Sequence, residues 1–98
     1  MDALERLQAW YSRQCNGEWE DFNGVIIDTL DNPGWRVTVN LKNTSLEAVP
    51  LDSVKVENSR EDWWVCQREG TDFRGYGDPA KLRTILEYFL SWAERTGS

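Results

Sequence analysis

The sequence predicts an α+β fold, in which an N-terminal and a C-terminal helix pack on one face of an antiparallel sheet of about five short strands. Apolar residues recur with helical spacing near both ends of the chain, and apolar and polar residues alternate with strand spacing between them. The connections between strands are short, which favours antiparallel neighbours because parallel strands need long crossovers. A length of 98 residues fits one domain spanning 1–98.

The first helix is predicted over residues 2–14. Asp2 is a suitable N-cap, because its carboxylate can accept a hydrogen bond from a free N–H group of the first turn. Four apolar residues recur at spacings of three and four and are expected on the buried face: Leu4, Leu7, Trp10 and Tyr11. The Asn16-Gly17 pair then favours a turn that ends the helix.

The strongest strand signal is a hairpin formed by residues 25–30 and 35–42. The first segment is rich in β-branched residues, and the second alternates between apolar and polar side chains. The order Asn32-Pro33-Gly34 between them is typical of a type II turn, because Pro33 presets its own φ and glycine tolerates positive φ. We therefore expect a positive φ at Gly34.

Alternation of apolar and polar residues predicts three further short strands, at residues 54–57, 62–68 and 73–76. The C-terminal helix is expected to have Asp78 as its N-cap, Pro79 as its first residue and Gly97 after its end. Gly75 and Gly77 are interpreted as a tight bend between the last strand and this helix. The helix presents one broad apolar face, made of Leu82, Ile85, Leu86, Phe89, Trp92 and Ala93.

Composition limits the possible partners and chemistry. Seventeen acidic residues against eleven basic ones give a net charge of −6, so neither nucleic acid nor a membrane is an expected partner. The chain has no histidine to activate a nucleophile, and it lacks a nucleophile-elbow or phosphate-loop motif. We therefore expect no enzymatic activity and no cofactor. With no secretion signal or membrane-spanning segment recognised, a cytoplasmic location is expected.

Five acidic residues lie between the first helix and the hairpin turn: Glu18, Glu20, Asp21, Asp28 and Asp31. They can form a solvated surface that maintains solubility, or a surface that faces a protein partner. A cation site or a glycosidase pair is the third interpretation. The alternating oxygen ligands and central glycine of a calcium loop are missing from this stretch.

Six tryptophans are unusual in a chain of this length. Trp19 follows the first helix in a loop beside acidic residues, and Trp63 and Trp64 must point to opposite faces of their strand. An exposed tryptophan is a frequent anchor of protein interfaces. Trp19 and Trp64 are therefore candidate exposed anchors, with local packing as the alternative.

Cys15 and Cys66 are far apart in the sequence and match no metal-binding spacing. A reducing cytoplasm keeps such pairs as free thiols. We expect both to be unpaired small apolar residues.

Several ordered segments resemble the Immunity protein 53 family, and the resemblance covers nearly the whole chain. The segments that carry it are Leu7–Tyr11, Gln14–Glu20, Gly24-Val25, Thr29–Trp35, Asp62-Trp63 with Cys66, Phe73–Gly77, and the helix that ends near Trp92. The resemblance implies an intracellular antidote of a bacterial polymorphic toxin system, which binds a cognate toxin domain and is not an enzyme.

The residues expected to face the toxin are Glu18, Trp19, Glu20, Asp21, Asp28, Asp31 and Trp64. Two alternatives remain beside this interpretation. One is an enzyme or small-ligand protein that uses the acidic residues and the thiols, and the other is a structural subunit of another complex. The chain is expected to be a monomer or a weak homodimer, because an exposed sheet edge can pair with itself.

Overall fold

A computed structural model describes residues 1–96 and confirms the predicted α+β architecture. Gly97, expected to follow the last helix, lies outside the described residues. The elements in chain order are α1 (Ala3–Gln14), α2 (Trp19–Phe22), β1 (Val25–Leu30), β2 (Gly34–Asn40), β3 (Val54–Ser59), β4 (Asp62–Glu69), β5 (Asp72–Gly77) and α3 (Leu82–Arg95).

The five strands form one antiparallel sheet in the order β1-β2-β5-β4-β3, so that β1 and β3 are its edges. Helix α3 packs against β2, β4 and β5, and α1 packs against α3. Val37, Val39 and Leu41 are fully buried, as the alternation in this part of the sequence predicts. No helix within residues 1–96 is long and apolar enough to cross a membrane.

Helix α3 lies so close to β5 that two positions of the strand have no room for a side chain. A Cβ atom at Gly75 would lie 2.3 Å from Cγ2 of Ile85, and one at Gly77 would lie 2.8 Å from Cβ of Lys81. These glycines therefore permit a close approach of helix and sheet. The sequence had suggested a tight bend instead.

The 41–53 connection between β2 and β3 is tied to both β4 and α3. The guanidinium of Arg68 donates hydrogen bonds to the carbonyl oxygens of Leu46, Glu47 and Val49. From α3, the indole N–H of Trp92 donates to the carbonyl of Pro50 at 3.0 Å, and the Tyr88 hydroxyl donates to the carbonyl of Asp52. Leu46, which belongs to this connection, is fully buried.

The prediction that Asp78 caps the C-terminal helix is wrong, because α3 begins at Leu82 with Lys81 as its N-cap. The Asp78 carboxylate is buried and accepts hydrogen bonds from the backbone N–H groups of Trp63 and Ala80, at 2.9 and 2.8 Å, and from Nζ of Lys81 at 2.8 Å. Burial alone would raise the pKa of Asp78. The hydrogen bonds from Lys81, Trp63 and Ala80 outweigh burial and lower this pKa.

The predicted positive φ at Gly34 is also wrong, since the described glycines with positive φ are Gly17 and Gly70. The Asn32–Pro33 peptide bond is cis, and Gly34 is the first residue of β2. Glycine is required here for a different reason. A Cβ atom at Gly34 would lie 2.3 Å from the backbone oxygen of Gly77 on the neighbouring strand.

Only part of the predicted apolar face of α1 is buried. Leu7 and Trp10 lie in the core as predicted, but Leu4 is 60% exposed and Tyr11 is 38% exposed. The buried stripe runs instead through Ala3, Leu7 and Trp10, at positions i, i+4 and i+7. Leu4 and Tyr11 belong to the adjacent stripe of the helix, which α3 does not cover.

We expect Gly34→Ala to lower the free energy of unfolding by about 1–3 kcal/mol, because its methyl group would collide with rigid backbone. Chemical denaturation measures this change. Gly24→Ala is the matched control, since a Cβ atom at Gly24 meets nothing within 4 Å. Equal stability of the two variants would contradict the close approach at Gly34.

We expect Asp78→Asn to lower Tm by about 8 °C or more at neutral pH, because it disrupts a buried hydrogen-bonded ion pair. The pKa of folded Asp78 lies below its ordinary value of 3.8. Its contribution to stability is therefore present above that value and is lost as the pH falls through the folded pKa. The difference in Tm between wild type and variant should shrink below about pH 4, and a constant difference down to pH 2 would contradict this role.

Candidate partner-binding surface

The stretch from Gln14 to Trp35, here called the acidic segment, contains five acidic residues and no lysine or arginine. It forms α2, the edge strand β1 and the turns on either side of them. Glu18 and Asp21 precede β1, whereas Asp31 follows it. A strand of six residues is about 20 Å long, so these carboxylates border one side of the molecule and do not converge on a point.

Glu20 has a structural role at the start of this segment. Its carboxylate accepts hydrogen bonds from the backbone N–H groups of Asn16 and Gly17, both at 2.9 Å. Hydrogen bonds from the backbone N–H groups of Glu20 itself, Asn16 and Gly17 lower the pKa of the Glu20 carboxylate, because they stabilise its charged form. The side-chain oxygen of Asn16 in turn accepts from the N–H groups of Glu18 and Trp19. These contacts fix the turn between α1 and α2.

Trp19 is not an exposed anchor, and the expectation from the sequence is wrong. Only 4% of its surface is accessible, and its ring makes edge-on contacts with Trp10 and Tyr11 at centroid distances of 6.1 and 6.0 Å. The indole N–H donates to the carbonyl of Lys42 at 2.9 Å. Trp19 therefore attaches α2 to α1 and to the 41–53 connection.

Phe22, three residues later, is the exposed aromatic residue of this region. Its side chain is 86% exposed, and Glu18 and Asp21 beside it are also exposed. An open cavity of about 550 Å³ adjoins it and is lined by Asn16, Glu18, Trp19, Phe22, Asn23, Lys42 and Asn43. Sequence reasoning missed Phe22, because it treated this stretch as a loop and singled out Trp19 as its aromatic residue.

Asp28 and Asp31 lie in different environments. Asp28 faces away from the helices, and both of its carboxylate oxygens accept hydrogen bonds from Arg36 on β2. The hydrogen bond from Arg36 lowers the pKa of Asp28. Asp31 lies exposed in the turn after β1. The charge of Asp28 is thus largely compensated by Arg36.

Trp64 lies on the helix side of the sheet, half-buried, with its ring 5.6 Å from that of Tyr88 in an edge-on contact. It packs against the core, so the expectation of an exposed anchor is wrong here too. Its neighbour Trp63 lies on the opposite face. There it lines an open groove of about 590 Å³ together with Asn32, Glu57, Ser59, Arg60 and Val65.

Both cysteines are free thiols, as the sequence predicts. Cys66 is fully buried, and burial raises the pKa of its thiol to about 12, so it is protonated at neutral pH. Sγ of Cys15 donates to the carbonyl of Tyr11 at 3.3 Å. Within residues 1–96, the acidic residues and cysteines form no cluster of three or more that could hold a metal ion.

Comparison with known proteins identifies a family. The sequence model of a family described as Immunity protein 53 matches residues 4–94. That range covers β1 to β5 completely and all but the terminal residues of α1 and α3. No curated protein and no solved structure shows significant similarity to the chain.

We expect the two aromatic residues of α2 to differ sharply in their effect on stability. Trp19→Ala should lower the free energy of unfolding by about 3–5 kcal/mol, because it leaves a large cavity. Phe22→Ala should change it by less than about 0.5 kcal/mol, because the ring is largely in solvent. Thermal and urea unfolding of both variants measures the difference. A Phe22→Ala protein as unstable as Trp19→Ala would contradict the described packing.

Proposed function

The chain belongs to the Immunity protein 53 family, and from this we propose that it binds a cognate toxin domain and neutralises it. The family match over residues 4–94 is the observation that carries this proposal, because it includes almost every structural element. The toxin belongs to a bacterial polymorphic toxin system, and the chain acts in the cytoplasm as its antidote. Neutralisation requires tight protein binding and no chemistry by the chain itself.

We propose that the toxin contacts the side of the molecule formed by the acidic segment. Glu18, Asp21 and Asp31 extend exposed carboxylates along this side, and they outnumber the lysine, Lys42, that lines the cavity beside Glu18. Such a field accelerates the approach of a basic toxin surface. Phe22 replaces Trp19 and Trp64 as the aromatic anchor, because its ring is free to enter a pocket on the toxin.

The five acidic residues divide into two groups by role. Glu20 and Asp28 are occupied by hydrogen bonds within the chain, so they support the surface and contribute less to a long-range field. The exposed carboxylates of Glu18, Asp21 and Asp31 supply the steering charge. Variants that test binding therefore change the exposed group, which leaves the fold intact.

The enzymatic alternative receives no support from the arrangement of these residues. The Cys66 thiol is buried with a raised pKa, and it lies in the core, away from the exposed carboxylates of the acidic segment. A catalytic pair needs two groups within reach of one substrate atom. The exposed carboxylates are instead spread along an edge of the sheet.

The direct experiment uses a purified candidate toxin domain, sought among the genes next to the one for this chain. We expect a stable complex with this chain in size-exclusion chromatography, loss of toxin activity in the complex, and rescue of cells that express the toxin domain. Binding without inhibition, or no binding at all, would contradict the proposed function.

We expect the double variant Glu18→Lys and Asp21→Lys to slow association with the toxin domain by about tenfold and to reduce its salt dependence. Stopped-flow or surface-based kinetics at several salt concentrations measure this change. Asp52→Lys with Glu61→Lys is the matched control, because it makes the same change in net charge at exposed residues outside the acidic segment. Equal association rates for the two double variants would place the interface elsewhere.

We expect Phe22→Ala to act on dissociation. The rate at which the variant dissociates from the toxin domain should rise by about tenfold or more, as for an interface anchor worth over about 1.4 kcal/mol. The association rate should change little. Glu61→Ala provides a comparison at an exposed residue outside the acidic segment, in the turn between β3 and β4. An unchanged off-rate for Phe22→Ala would remove Phe22 from the interface.

A further inference from the structure

We propose that the toxin binds by strand addition: an extended segment of the toxin domain, with basic residues at its ends, pairs with the free edge of β1. The sheet would then have six strands across the two proteins. This inference rests on the proposed function and specifies how the partner is held. Five features of the described chain support it, namely backbone direction, the contrast between the two edges, exposed apolar residues, a groove beside β1 and charge.

The backbone of β1 presents unpaired hydrogen-bonding groups to solvent. The N–H of Asn40 donates to the carbonyl of Gly24 at 3.0 Å, and the N–H of Leu41 donates to the carbonyl of Thr71 at 2.8 Å. Even-numbered residues of β2 therefore bond to β1, and odd-numbered ones bond to β5. Because an antiparallel ladder alternates with a period of two, the register directs the N–H and C=O groups of Val25, Ile27 and Thr29 outward.

The two edges of the sheet differ in their protection against pairing. The β3 edge carries a register irregularity between Glu57 and Ser59 and an exposed lysine at Lys55, and both features discourage an added strand. Strand β1 keeps a regular register with β2 over all six residues, and it contains neither lysine nor proline. An edge of this kind is a ready template for another strand.

Exposed apolar residues are concentrated in this edge strand and in the part of the chain that precedes it. Among the described residues, the large hydrophobic side chains that are exposed all fall within residues 1–27: Met1, Leu4, Tyr11, Phe22, Ile26 and Ile27. Ile26 is 56% exposed on one face of β1, and Ile27 is 40% exposed on the other. Scattered exposed apolar residues are ordinary, but such a concentration marks an interaction site.

A groove beside β1 provides a place for side chains of the added strand. It has a volume of about 220 Å³, is largely apolar, and lies between α1 and β1, lined by Leu7, Gln8, Tyr11 and Val25. Gln8 and Tyr11 are at positions i+4 and i+7 from Leu4, so the exposed stripe of α1 borders this groove. Every second side chain of a strand paired with β1 would face this side of the sheet.

The charges around β1 favour a basic segment as the added strand. Glu18 and Asp21 precede β1 and Asp31 follows it, so basic residues at the ends of the added segment would meet carboxylates. A second copy of this chain would bring another acidic segment, and another net charge of −6, against the same edge. Like charges in contact disfavour such a dimer. The occupant is therefore a basic strand of the toxin, and the free chain is a monomer.

The test removes one outward N–H group from each edge of the sheet. Ile27→Pro deletes an outward N–H of β1 without removing a bond to β2, and proline is tolerated at such edge positions. Ile27→Ala is the side-chain control, because it keeps the N–H group. Lys55→Pro is the control for the other edge. The N–H of Asp78 donates to the carbonyl of Trp63, so odd-numbered residues of β4 bond to β5 and even-numbered ones bond to β3. Val54 and Val56 therefore pair with β4, and the N–H of Lys55 points outward.

Binding of each variant to the purified toxin domain is measured by calorimetry, after circular dichroism has verified the fold. We expect Ile27→Pro to bind at least about tenfold more weakly than Ile27→Ala, and Lys55→Pro to remain within about threefold of wild type. Should Ile27→Pro not fold, Thr29→Pro and Thr29→Ala replace the pair, because Thr29 has the next outward N–H group.

The possible results separate the two proposals. Equal affinities of the proline and alanine variants, with tight binding by wild type, would overturn strand addition at β1 and leave toxin binding intact. A weaker Lys55→Pro complex with an unchanged Ile27→Pro complex would move the added strand to β3 and also overturn the inference. No binding by the wild-type chain would overturn the proposed function and the strand addition that rests on it.

Discussion

The close approach of helix α3 to strand β5 is the constraint on which the rest of this structure depends. Gly75 and Gly77 leave space for Ile85 and Lys81, so α3 lies over β2, β5 and β4 in the middle of the sheet. One helix is about 10 Å wide and cannot cover five strands. The two edges must therefore be covered by other elements, and they are covered unequally.

On the other side of α3, the 41–53 connection packs against β4 and α3. Arg68 holds this connection to β4 through three backbone carbonyl groups, and Tyr88 and Trp92 hold it to α3. On the β1 side, α1 lines a groove together with Val25, and the buried stripe of α1 faces α3. Its other apolar stripe, with Leu4 and Tyr11, is left exposed, and Tyr11 lines the groove beside β1. The unequal cover explains why apolar residues of α1 and β1 remain exposed on this side.

Features that depend on a regular pattern along the chain were predictable. The alternation in β2 correctly placed Val37 and Val39 in the core, and the spacing of apolar residues identified both terminal helices. The resemblance to Immunity protein 53 was confirmed by the family match. Features that depend on a contact between distant segments were not predictable. Position 34 requires glycine because the carbonyl of Gly77 on another strand leaves no room for a side chain. The Asp78 carboxylate is held by the N–H of Trp63, on β4.

The candidate site shows the same limit of local patterns. The sequence located the acidic segment, but the structure was needed to distinguish Glu20, bonded to backbone N–H groups, from the exposed Glu18. Trp19 was the more conspicuous aromatic residue, yet contacts with α1 bury it and leave Phe22 in solvent. Which ring of α2 is exposed depends on how α2 folds against α1, and composition does not report that.

The central claim is that the partner covers the β1 side of the molecule, and residue-resolved hydrogen exchange tests it most directly. Amide exchange of the isotope-labelled chain is compared with and without the purified toxin domain. In the free chain, the outward amides of Val25, Ile27 and Thr29 should exchange faster than the paired amides of Ile26 and Asp28. The complex should slow those three amides by at least about tenfold. New protection confined to α3 or to the β3 edge, with β1 unchanged in a stable complex, would contradict the account.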